Sequence, residues 1–321
     1  MTQSHLTPPA LPMIDLSLLD GSENDRQQLA RSLEQACLRH GFFYVCEHGI
    51  DGELIKRVFE QSRALFDLPD AQKEVINKSR SPANRGYEPL KGQTLEPGSP
   101  PDLKEGFYIG EELDASDPRV QAGRFNQGAN QWPATLPEFR RTMTGYFDAL
   151  NELSARIMSA LALSLGLDEA FFDDFCHQPL STLRLLHYPP QPARPEPGEK
   201  GCGAHTDFGG ITILLLDDKP GLQVRDPHTG QWLDAEPVAG AFVVNLGDMI
   251  ARWTNDRYRS TLHRVVNTSG EERYSVPFFF SGNPDHEVRC LPTCLAAGDQ
   301  PHYPPTTVEA HLMEMYRRTY A

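Results

Sequence analysis

No stretch of this chain reaches the roughly 18 consecutive apolar residues of a membrane-spanning helix. Residues 1–12 have neither the basic opening nor the apolar core of a secretory leader. A long basic run is missing too. Lys and Arg number 30 against 44 Asp and Glu, and the net charge of -14 repels nucleic-acid backbones and anionic bilayers. Neither nucleic acid nor membrane is therefore expected as a partner. Cysteine is sparse and unpatterned. None of the six forms C-x-x-C, and the nearest pair, Cys290 and Cys294, has no second pair to complete a zinc site. Six free thiols in a reducing cytoplasm are expected. The zinc-hydrolase signature H-E-x-x-H is absent, as are repeats, low-complexity tracts and any clear linker.

What is present suits a folded catalytic unit. At 321 residues the chain can bury roughly three quarters of its unfolded surface. Near the start, Leu11–Leu16 has the pattern of a short strand. Ser22 and Asp25 have capping-box spacing, and Leu29, Leu33, Ala36 and Cys37 recur at helical period before Gly41. Residues 41–46 form an aromatic, β-branched strand, and a second helix is expected over about 51–68. Residues 77–104 are polar and irregular, a texture often found over active sites. A long scaffold helix is expected from about Pro137 to Leu165, ended by Gly166. Beyond residue 180 come short strand-like runs at 182–188, 211–216, 221–225, 242–246, 262–266 and 274–280, the punctuation of a sandwich or barrel. Thr306 and Glu309 are expected to cap a last helix. The fold class is mixed α/β, with helices around a β-barrel.

The chemistry concentrates in that second half. His205 and Asp207 form the only H-x-D in the chain. Residues two apart share a face on extended backbone but diverge on a helix, so the pair can converge on one ion only from a strand. His263, on another strand, supplies a third donor. Two histidines and a carboxylate on one side of a metal leave open positions, the arrangement of oxygen-activating iron(II). Ten residues on, Arg273 and Ser275 share one strand face, while Tyr274, Val276 and Phe278 share the apolar other. An inward guanidinium requires an anion, and a carboxylate held by Arg273 and Ser275 meets that requirement. Tyr188 is a further candidate donor.

Together these residues resemble the 2-oxoglutarate/iron(II)-dependent oxygenases of the isopenicillin N synthase-like type. The resemblance spans nearly the whole chain, through Leu11–Leu16, Gly41–Ile50, His205–Asp207, Pro220–Gln223, Asn245–Asp248, His263–Val265 and Arg273–Ser275. It implies a double-stranded β-helix (jelly-roll) core with flanking helices. Residues 1–135 would be an N-terminal α/β region without independence, and 136–321 the scaffold helix, catalytic core and C-terminal helix. It also implies Fe(2+) on His205, Asp207 and His263, with 2-oxoglutarate contacted by Arg273, Ser275 and Tyr188. With O2, oxidative decarboxylation to succinate and CO2 would be coupled to hydroxylation or desaturation of a small-molecule substrate. One departure is that many plant members carry Asn where this chain has Leu186. Phe279 occupies a position that lines the substrate pocket in relatives, and Arg85, Tyr87 and Phe107 are candidates to close over it. Three alternatives remain at this level: an oxidase that dispenses with 2-oxoglutarate, an ethylene-forming enzyme, and a non-catalytic jelly-roll binding module.

Overall fold

The computed structural model describes residues 10–192, 194, 196–296 and 298–320. Its first helix, Glu23–Arg39, starts where the sequence places it. Ser22 Oγ accepts from the Asp25 N–H at 3.3 Å, and the Asp25 carboxylate accepts from the Ser22 N–H at 2.8 Å. A second helix, Gly52–Phe66, is capped by Asp51. The long helix Phe139–Ser164 is about 39 Å long. It stops before Gly166, whose φ of +69° is the left-handed conformation that glycine adopts without a Cβ penalty.

The strands are β1 Met13–Asp15, β2 Phe42–Cys46, β3 Gly86–Glu88, β4 Glu105–Ile109, β5 Ser181–Tyr188, β6 Cys202–His205, β7 Ile211–Leu216, β8 Leu222–Arg225, β9 Trp232–Asp234, β10 Phe242–Leu246, β11 His263–Val265, β12 Arg273–Phe280, β13 Glu287–Val288 and β14 Thr306–Thr307. One sheet runs β1-β2-β10-β7-β12-β5-β4-β3 and a second β6-β11-β8-β9. Side-chain alternation gives the large sheet two different faces. Phe43, Val45, Leu183, Leu185, Ile211, Ile213, Val244, Tyr274, Val276 and Phe278 join the helices in one core, and Phe278 meets Phe147 of the long helix edge-on. Phe42, Tyr44, Leu186, Tyr188 and Val243 point the other way, onto Cys202, Leu222, Val224 and Val265 of the small sheet. The two sheets thus enclose a jelly-roll interior, and the polar residues of β5, β7, β10 and β12 open into it.

Two expectations need correction. The 77–104 stretch is not wholly irregular, because β3 lies within it and β4 follows at once, extending the large sheet beside β5. Their buried acids hid them. Glu88 is paired with Lys78 and Glu105 with Lys73, so charge that reads as loop is neutralised inside. At the last helix, Val308–Tyr320, Thr306 and Glu309 do not form the cap. Thr306 pairs in β14 with β13, and Thr307 Oγ1 accepts from the Ala310 N–H at 3.3 Å. The Glu309 carboxylate instead accepts from Arg124 Nε and the Phe125 N–H.

Candidate metal and co-substrate site

His205 ends β6, and His263 opens β11 directly opposite it in the antiparallel register. The two rings lie 4.3 Å apart between centroids. Asp207, two residues past His205, turns in beneath them. Its Oδ1 lies 3.7 Å from His205 Nε2 and 3.9 Å from His263 Nε2. One donor atom from each of the three side chains falls within 4.8 Å of the others.

Each donor is aimed by a neighbour. His205 Nδ1 donates to the Gly203 carbonyl at 2.8 Å, and His263 Nδ1 to the Thr261 carbonyl at 3.2 Å. Both Nε2 lone pairs therefore face the common centre. Burial and the adjacent His205 hold His263 down at about 4, so its ring is neutral and able to ligate near pH 7. Asp207 Oδ2 accepts from Thr212 Oγ1 at 2.6 Å and Asn245 Nδ2 at 2.7 Å. Burial works against the Asp207 anion, but the facing His263 and His205 rings and these two hydrogen bonds hold its carboxyl below the ordinary value. Thr212 and Asn245 sit opposite each other on β7 and β10, so a single inward row of the large sheet orients the carboxylate. Partners of this kind typically change metal affinity 10–100-fold. Thr212→Val should weaken Co(II) binding about tenfold with an unchanged circular dichroism spectrum, measured by metal titration of the apoprotein.

Further along the same inner face, Arg273 is fully buried. Its guanidinium lies 5.0 Å from the centre of the Tyr188 ring, the residue paired with it across β5. Ser275 lies close enough to Tyr188 to favour its ionised form, although burial raises the Tyr188 hydroxyl above its ordinary value. Among the described residues, Arg273 Nε and Nη1 have no partner. The Asp217 carboxylate is near enough to feel the Arg273 charge, yet it is taken up by the Tyr274 and Lys219 N–H groups. A buried cation with idle donors on the large sheet, facing the small sheet that carries His205 and His263, fits an incoming carboxylate. Leu186, opposite Ser275, adds no polar contact.

A cleft of about 60 Å³, measured as room for the centres of water-sized spheres, borders the triad. Phe279, Arg184, Thr182, Phe125, Asn126 and Tyr316 are among its lining residues, together with His205 and Asp207. Arg184 stacks between the rings of Tyr108 and Phe279, 4.5 and 4.6 Å from their centres. Arg85 lies behind this wall, 2% exposed. Its Nη2 donates to the Asn126 carbonyl at 2.7 Å, while Nε and Nη1 have no partner among the described residues. Tyr87 and Phe107 face elsewhere. Paired with each other across β3 and β4, they enter the helix-side core, where Phe107 meets Phe139 edge-on and the Tyr87 hydroxyl donates to Glu105. The sequence alone assigned no site role to Thr212, Asn245, Arg184 or Tyr316. Arg184 was within reach, since it shares the Tyr188 face of β5.

The jelly roll, the His-Asp-His cluster and the buried arginine define a class, and the chain belongs to the 2OG-Fe(II) oxygenase superfamily. The model of that superfamily matches residues 179–282. A model described as the N-terminal region of the non-haem dioxygenase in morphine synthesis matches residues 11–135. The chain is 49% identical to the 2-oxoglutarate-Fe(II) type oxidoreductase hxnY of Emericella nidulans, over 98% of this chain and 92% of that protein. The crystal structure of full-length Neurospora crassa T7H in complex with alpha-KG superposes with a TM-score of 0.87 at 32% identity, covering all of both chains. The same protein with alpha-KG and thymine gives 0.85 at 31% identity, over 99% of this chain and 100% of that one. The protein is accordingly a 2-oxoglutarate- and Fe(II)-dependent dioxygenase. Among the described residues no helix is long and apolar enough to cross a membrane.

Proposed function

We propose that His205, Asp207 and His263 hold the iron, that Arg273, Ser275 and Tyr188 anchor the far carboxylate of 2-oxoglutarate, and that the cleft beside Phe279 takes a small, flat, acidic metabolite. The buried Arg273 with two idle donors carries the anchor. Arg273 and Phe279 are six residues apart on β12, about 20 Å along the strand, so co-substrate and substrate approach the triad from opposite ends of one inner face. When bound, the iron supplies oxygen activation coupled to decarboxylation of the 2-oxo acid. The chain fixes the co-substrate at its distal end, turns both imidazole Nε2 atoms to the centre, and screens the reacting region from water with Phe279, Phe208, Phe125 and Tyr316.

The acidic class follows from charge. Arg85 and Arg184 are close enough to repel, and burial of Arg85, offset in part by Tyr316 and Glu111, pulls its guanidinium down to about 10. An anionic group on the substrate would meet the Arg184 guanidinium on the cleft wall, while the aromatic walls favour a planar ring. A reducing cytoplasmic location belongs to the same proposal, supported by six unpaired cysteines.

The test is a succinate-release screen with Fe(II), ascorbate, 2-oxoglutarate and a panel of ring carboxylates beside their uncharged amides. The acids should stimulate turnover and the amides should not. Arg184→Leu should cut the preference for acid over amide about tenfold or more, the scale of one charge-assisted bond. A variant that keeps the full preference rules out Arg184 as the selector.

A further inference from the structure

Strand β6 carries His205 but is an edge strand, paired among the described residues only with β11. Unpaired edge N–H groups seek acceptors, and here side chains of the N-terminal region supply them. Asp102 Oδ1 accepts from the Gly203 N–H at 2.8 Å, and Glu96 Oε2 accepts from the Ala204 N–H at 3.1 Å. The segment is fastened by the Leu103 N–H on the Lys200 carbonyl and by Lys200 Nζ on Glu96 Oε2 at 3.0 Å. It lies so close that a Cβ on Gly203 would come within 2.7 Å of Glu96 Cβ and 2.8 Å of its backbone nitrogen. Glycine at 203 is what lets the loop seat.

The Ala204 N–H that Glu96 holds belongs to the same peptide unit as the Gly203 carbonyl. That carbonyl accepts from His205 Nδ1 at 2.8 Å. A carboxylate, a peptide and an imidazole thus stand in line behind the Nε2 that faces the triad centre. Negative charge at the N–H end of a peptide strengthens its carbonyl as an acceptor, because hydrogen bonds in a chain polarise one another. A stronger acceptor at Nδ1–H fixes the ring and makes Nε2 a better donor, as a directly bonded carboxylate does in metal sites.

We propose that Glu96 is a positioning residue for His205, orienting the ring toward the triad centre through the Gly203–Ala204 peptide. The N-terminal region would then set the orientation of a metal ligand it never touches. The inference rests on His205 being a ligand, and the test separates the two questions.

Apoprotein would be titrated with Co(II), following both affinity and the visible ligand-field spectrum, in the wild type and in Glu96→Gln, Glu96→Ala, Lys200→Gln and His205→Ala. Glu96→Gln keeps shape and an acceptor while removing the charge. It should bind Co(II) about tenfold more weakly with a shifted spectrum, at an unchanged melting temperature. Glu96→Ala should lose at least as much. Lys200→Gln leaves the carboxylate on Ala204 and should bind as tightly as the wild type. Two results would overturn the proposal while leaving the ligand set intact: Glu96→Gln matching the wild type in affinity and spectrum, or Lys200→Gln losing as much as Glu96→Gln. Undiminished binding by His205→Ala would overturn both the proposal and the assignment beneath it.

Discussion

Replacing Arg273 with methionine should raise the 2-oxoglutarate concentration for half-maximal succinate release by at least a hundredfold. The side chain is fully buried, so an incoming carboxylate meets it without competing water. Two charge-assisted hydrogen bonds from Nε and Nη1, at about 1.5–3 kcal/mol each, sum to about 3–6 kcal/mol. Each 1.4 kcal/mol is a factor of ten, which places the loss at two to four orders of magnitude. Methionine preserves much of the volume beside Tyr188 and removes a buried charge, so the melting temperature should hold or rise. Unchanged dependence on 2-oxoglutarate in a folded Arg273→Met protein would show that the anchor lies elsewhere.

Asp207→Ala should abolish iron-dependent succinate release, a fall of at least ~100-fold given that supporting partners alone change affinity by that order. The carboxylate is the one anionic member of the cluster, and two side chains from β7 and β10 are committed to its second oxygen. Removing it leaves two imidazoles to hold a divalent cation and strands the Thr212 hydroxyl and Asn245 amide in a buried space. Metal analysis after anaerobic loading should show little bound iron. Wild-type turnover in this variant would end the case for the triad.

The H-x-D and R-x-S pairs could be recognised because spacing alone decides their geometry. Once the segment is extended, residues two apart share a face. The same rule explains what was not legible. β4 went unrecognised, and a strand that is not recognised has no assigned faces. Sequence points Phe107 toward the substrate, yet its neighbour Tyr108 is the residue that stacks on Arg184, one position along and on the opposite side. Glu96 and Asp102 were hidden for another reason. Nothing local to residues 92–104 marks them as partners of a strand a hundred residues later, and only docking of the loop onto β6 brings them together. The long helix, by contrast, announced itself through period and a terminating glycine, because both signals are local.

On the inner face, Asn245, Thr212, Phe279 and Thr182 follow one another across four neighbouring strands. Anyone redesigning selectivity by saturating position 279 would be working directly beside the threonine that steadies Asp207, so each new catalyst should be assayed for retained iron as well as for altered scope. Thr182 stands one strand further out, on the cleft wall, and makes the safer first position for a mutant library.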